Sequence, residues 1–197
     1  MSPTHPSTPE NRTPAERILA TAHDLFYRDG IRATGIDRVI AESGVAKKTF
    51  YRYYPAKNDL VVAFLQYRHG NWMAWFEDAL RRHGAEVAGP RALVPALAEW
   101  FECEAYRGCA FINAVVEVGG ILPEAVDISR RHKLDMGAVI RTLLPAESET
   151  ANADARALAL AVDGAIIGAQ FEETPESTLK SLDALVRAIC VSAGAHS

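Results

Sequence analysis

Residues 36–54 constrain the fold more than any other stretch of the chain. Ile36, Val39 and Ile40 fall on one helical stripe, and Gly44 follows as the residue best suited to end a helix in the left-handed conformation. A second short helix then begins near Lys47. Phe50 and Tyr54 stand four apart in it, so they share a face that can pack with Val45. Lys47, Lys48, Thr49, Tyr51, Arg52 and Tyr53 are left outward, and no carboxylate occurs in residues 43–58. A face of cations, a hydroxyl and phenols suits phosphate oxygens and base edges in a DNA major groove. Helix, glycine turn and basic helix make a helix-turn-helix whose second helix is the recognition helix.

The flanking sequence supports that unit. Thr13, Pro14 and Glu16 form a capping box with proline at the first helical position. Ile18, Leu19, Ala22, Leu25 and Phe26 then make an apolar stripe that Gly30 ends, giving a third helix to back the other two. Downstream, Leu60, Val61, Phe64, Leu65, Trp72, Trp75, Phe76 and Leu80 predict a long helix from Lys57 to about Gly84, with Gly70 as a candidate break. Residues 1–70 hold ten basic and seven acidic side chains, whereas residues 71–197 hold eleven and eighteen. A basic head on an acidic body fits a DNA-contacting module joined to one that stays off the polyanion.

At this point the chain resembles the TetR family of bacterial transcriptional regulators. Thr34, Ile36, Val39, Gly44, Val45, Thr49, Phe50, Tyr51, Tyr54, Lys57 and Leu60 carry the resemblance in fixed register across residues 13–68. Gly35, Ala46 and Ala56 stand where the family often places Ser or Thr at helix starts, and Ala is a poor cap by about 1 kcal/mol. Phosphate anchoring is therefore expected to lean on Lys47, Lys48, Arg52 and Lys57. Within the DNA-binding set, which includes Gly35, we expect Thr34, Thr49, Tyr51 and Lys57 to hold phosphates, and Lys48, Arg52 and Tyr53 to lie nearer base edges. Residues 107–117, with Arg107, Gly108, Cys109, Phe111, Asn113 and Ala114, are similar to a pattern in effector domains of some TetR-type regulators. The resemblance implies an all-α protein: a three-helix DNA-binding domain at residues 12–70 after a disordered arm at 1–11, and an effector-binding and dimerisation domain at 71–197.

The C-terminal part reads as helices near 91–106, 123–144, 152–171 and 175–192. The helix near 152–171 is apolar almost all round, more than one core face requires. It pairs with the last helix, and two such helices from each subunit would form a four-helix bundle across a two-fold axis. Leu158, Val162, Ile166, Ala169, Leu182, Val186 and Ile189 are the expected interface, and the resemblance implies the same homodimer. Trp72, Trp75, Phe76, Trp100, Phe101, Phe111 and Met136 could line an apolar pocket, with Asn113, Glu117, His132 and Gln170 orienting a small, largely apolar effector. For any single aromatic, ordinary core packing is the commoner explanation, because aromatic stripes at helical spacing are normally packing.

Other classes find little support. Cys103, Cys109 and Cys190 are an odd count without close pairing, which suggests a reducing cytoplasm. His23, His69, His83 and His132 lack a His or Cys partner at helical spacing, so no metal or cofactor is expected. No apolar run reaches about 18 residues, and neither a nucleophile motif nor a phosphate-cradling glycine loop is present. We therefore expect a non-enzymatic, cytoplasmic repressor that binds a double-stranded DNA operator, with no membrane partner.

Overall fold

A computed structural model describes residues 12–194; the expected disordered arm at 1–11 lies outside them. Regular structure among the described residues is helical throughout. The chain divides into two compact units, one formed by residues 12–71 and 109–132, the other by 72–108 and 133–194.

In the first unit, α1 (Pro14–Asp29), α2 (Ile36–Ser43) and α3 (Lys47–Tyr53) precede the first part of α4 (Lys57–Arg82). The capping box opens α1 as expected: Thr13 Oγ1 accepts from Glu16 N–H, and Glu16 accepts from Thr13 N–H at 2.7 Å. Ile18, Ala22, Leu25 and Phe26 of α1 are buried, as are Val39, Phe50, Leu60, Phe64 and Leu65. The Phe26 and Phe64 rings meet edge to face with centroids 5.4 Å apart. Gly44 takes the left-handed conformation at φ +64°, giving the tight turn that a Cβ would strain.

Residues 109–132 return to this unit as α7 (Ala110–Val118) and the first part of α8 (Pro123–Thr142). A linear boundary at 70/71 assigns them to the C-terminal domain, but their contacts hold them with residues 12–71. Phe111 stacks on His132 with ring centroids 3.7 Å apart, and Ser129 donates to the Phe111 carbonyl. His132 Nδ1 lies 3.3 Å from His69 Nδ1.

The second unit holds the rest of α4 and α8, then α5 (Ala85–Ala88), a 3-10 turn (Gly89–Ala92), α6 (Leu93–Phe101), α9 (Ala151–Gly168) and α10 (Glu176–Gly194). Short α5, α7 and the 3-10 turn are not foreshadowed in the sequence: unlike α2 and α3, they do not pair one apolar stripe with a polar opposite face. Gly70 does not break α4, since one glycine costs a helix only about 1 kcal/mol and flanking packing outweighs it. Trp72 stacks on Phe76, and Trp100 packs against Trp72, Trp75 and Tyr106. The Tyr106 hydroxyl donates to the Ile166 carbonyl, tying this aromatic cluster to α9.

The expected subunit interface needs correction. Leu158, Val162, Ile166, Leu182 and Val186 are at most 1% exposed within the single chain, where α9 and α10 pack against each other. Ala169 and Ile189 are half-buried. The outward side of α9 carries a different stripe, Ala153, Ala157, Leu160, Gly164, Ile167 and then Phe171, with alternating steps of four and three residues. Leu160 is 68% and Phe171 83% exposed, and Leu185 and Val191 are exposed on α10.

Candidate nucleic-acid interface

The recognition helix is built from the inside outward. Phe50 is fully buried, which fixes the rotation of α3. Tyr54 is half-buried beside it, and that burial pushes its phenol up from the usual range. With this side anchored, Lys47, Lys48, Tyr51, Arg52 and Tyr53 face solvent, and Thr49 is half-buried. The Arg52 guanidinium lies over the Tyr53 ring, 5.1 Å from its centroid, which limits the freedom of a long side chain.

The cations on this unit are not equivalent. Arg28 and Arg38 both pair with Asp29, and Arg38 also pairs with Glu42, so their charge is spent within α1 and α2. Lys47 Nζ sits 3.1 Å from Asp37, whose hydrogen bond holds the ammonium above its ordinary range. That pair is fully solvent-exposed, so water and salt screen it and a phosphate can compete for Lys47. Lys57, the first residue of α4, is half-buried, and burial pushes its ammonium down while the Glu117 carboxylate opposes that shift.

Thr34 is a correction. Expected to hold a phosphate, it is 0% exposed, and its hydroxyl donates to the Gly30 carbonyl at 2.7 Å. The hydroxyl closes the turn between α1 and α2, and no phosphate can reach it there. Gly35 is exposed and opens α2 without a side-chain cap. The uncapped Ala56 is compensated from the other side, since Asp59 Oδ2 accepts from the Ala56 N–H at 2.9 Å.

The expected effector residues fall in both units. Trp72, Phe76, Trp100, Phe101 and Met136 are buried in the second unit, with Trp75 half-buried beside them. Phe111 and His132 are buried in the first, and Asn113 is exposed there. Two polar members have other duties. The Glu117 carboxylate accepts from the Arg32 N–H at 2.8 Å, and the Gln170 amide donates to the Arg107 carbonyl at 3.1 Å. Both therefore hold loops in this structure. A cavity of about 460 Å³ in the second unit, unforeseen from sequence, is lined by Glu77, Leu80, Arg81, Ala85, Glu86, Val139, Thr142 and Leu143. Its lining comes from exposed charges and helix ends, which carry no periodic signal. Among the described residues no three His, Cys, Asp or Glu side chains are grouped to hold a metal ion, and no helix is long and apolar enough to cross a membrane.

Comparison with known proteins bears on the same residues. The family model described as bacterial regulatory proteins, tetR family, matches residues 18–64, which contain α2, α3 and the start of α4. The fold is similar to the crystal structure of a TetR-family transcriptional regulator from Streptomyces coelicolor, with a TM-score of 0.84 and 27% identity over 98% of this chain and 96% of that one. The transcriptional activator FasR of Mycolicibacterium smegmatis is 29% identical over 96 residues, 47% of this chain and 44% of that protein. The chain spans about half the length of the curated relatives it matches. A more distant fold relative, the multidrug binding protein EbrR complexed with malachite green, has a TM-score of 0.66 at 20% identity over 88% of this chain and 96% of that one.

Proposed function

Because the chain belongs to the TetR family of bacterial regulatory proteins, we propose that it is a cytoplasmic homodimeric repressor that binds a pseudo-palindromic DNA operator and is released by a small, largely apolar effector. The observation that carries this reading is the outward face of α3, where Lys48, Tyr51, Arg52 and Tyr53 stand exposed above the buried Phe50. The helix-turn-helix unit, with α7 and the first part of α8 packed on it, is the DNA-binding module, and the unit of residues 72–108 and 133–194 holds the effector and dimerises. No enzymatic chemistry enters, since the family's members are transcriptional regulators.

Dimerisation is assigned to the outward stripe of α9 with Leu185 and Val191 of α10. Leu160, Ile167 and Phe171 are too apolar and too regularly spaced to be left to water, and the small Ala153, Ala157 and Gly164 on the same stripe allow close helix approach. The effector is assigned to the aromatic cluster around Trp72, Trp75, Phe76 and Trp100, in keeping with the aromatic ligand held by EbrR. A coupling of about 1–3 kcal/mol between effector and operator would reduce DNA affinity about 5- to 150-fold.

Selection of bound duplexes from a random double-stranded pool tests the reading. The expected product is an inverted repeat bound by a dimer, with one recognition helix per half-site. An enriched sequence without dyad symmetry, or a monomer in the complex, contradicts it. Because the relative FasR is described as an activator, an operator-linked reporter decides the sign: expression should rise when the gene is deleted.

A further inference from the structure

Glu117 ends the last turn of α7, far in sequence from the helix-turn-helix. Its Oε2 nevertheless accepts the Arg32 N–H at 2.8 Å, a contact spanning 85 residues. Arg32 lies in the turn that leads from α1 into α2. The carboxylate is seated closely: a Cβ at Gly30 would lie 3.2 Å from Oε2, and Gly30 holds φ +91°, a conformation that side chains rarely adopt. The same carboxylate acts on Lys57, the first residue after the recognition-helix segment, opposing the loss of charge that burial imposes there. One side chain from α7 thus touches the entry to the helix-turn-helix and bears on its exit.

We propose that Glu117 is a positioning residue for operator binding: from α7 it fixes the α1–α2 turn through the Arg32 amide, so that α2 and α3 are presented to DNA in one arrangement. This rests on the operator-binding reading above and assigns to Glu117 a role other than effector contact. The charge itself is wrong for touching DNA, since a carboxylate repels phosphates. Position and charge therefore predict opposite signs. Deleting a carboxylate that acted only through its field would strengthen binding to every duplex. Deleting a strut weakens only the binding that requires a fixed arrangement of base-contacting side chains.

The test compares wild type, Glu117→Ala and Glu117→Gln in the full chain, on a duplex enriched by the wild type from a random pool and on a scrambled duplex of equal length. Glu117→Ala should weaken operator binding about tenfold, as expected for loss of one hydrogen bond to a charged group. Binding to the scrambled duplex should stay constant or tighten. Glu117→Gln keeps an acceptor for the Arg32 amide and should recover most of the operator affinity. Hydrogen exchange at the Arg32 amide should be fast in the alanine variant and slow in wild type and the glutamine variant. Should the alanine variant not fold, Glu117→Asp withdraws the carboxylate by one methylene and carries the same expectations. Unchanged operator binding, equal loss on both duplexes, or a protected Arg32 amide in the alanine variant overturns the proposal while leaving operator binding intact. A wild type that enriches no sequence overturns both.

Discussion

The recognition helix α3 and the penultimate helix α9 present opposite problems of legibility. In α3, apolar residues occupy one side only, so Phe50 must be the inward residue and everything across from it must be outward. In α9, Leu158, Val162 and Ile166 form one stripe while Leu160, Ile167 and the following Phe171 form another. Periodicity finds both stripes but cannot rank them, because either would be content against a neighbour. The packing of the chain decides, and it takes the first stripe into the chain's own core, leaving the second for solvent or another subunit. A single apolar face therefore identifies its partner, whereas two apolar faces identify only that two partners exist.

Stability measurements separate the two kinds of face most strongly. Phe50→Ala and Leu158→Ala should each lower unfolding free energy by about 2–5 kcal/mol, by lost burial plus the cavity left behind. Chemical denaturation should show this loss at every protein concentration. The paired change Leu160→Glu and Ile167→Glu should leave intrachain packing intact and instead shift sedimentation from dimer to monomer. A monomer from Leu158→Ala with unchanged stability would restore the first stripe as the subunit interface.

Within the DNA-binding face the effects are smaller. Lys57→Ala should weaken all duplexes alike and flatten the dependence of log affinity on log salt by about one, the signature of one lost phosphate contact. Lys48→Ala should alter which base pairs are preferred, at about 1–3 kcal/mol per affected position. Thr34→Val should lower stability through the lost hydroxyl bond to Gly30 and leave the salt slope unchanged, because Thr34 has no access to phosphate.

The smallest effect concerns a clamp in the second unit. Arg82 binds both oxygens of Glu99, at 2.6 and 2.8 Å, joining α4 to α6. Chiefly through that hydrogen bond, the Glu99 carboxyl is held below its ordinary 4.5, at about 2. A depressed folded-state value stabilises the fold above the unfolded value, and that contribution fades as pH falls from 4.5 toward 2. Unfolding measured across this window should lose stability in the wild type, and Glu99→Gln should lose less. Identical acid profiles for both would remove the clamp from the account.

Much of the first unit was legible because its signals are local: the Thr13–Glu16 capping box, the Gly44 turn and the stripe of α1 each act within a few residues. What escaped was long-range. Nothing near Thr34 indicated that its hydroxyl would turn inward, and nothing near Glu117 indicated that α7 would return to Arg32. The lack of a capping side chain at Ala56 was real in sequence, and Asp59 at the third helical position contributes the other half of a capping box by accepting from the Ala56 N–H. The effector set was least legible because a buried Trp in a core and a Trp lining a ligand site share the same helical spacing.

The proposed division of α3 gives base reading to its outward side and anchoring to its inward side. Parallel random-pool selections with wild type and Lys48→Ala test this most directly. An inverted repeat is expected for the wild type, and a symmetric change of base preference in both half-sites for the variant. The same consensus from both proteins, with only uniformly weaker binding, would contradict it.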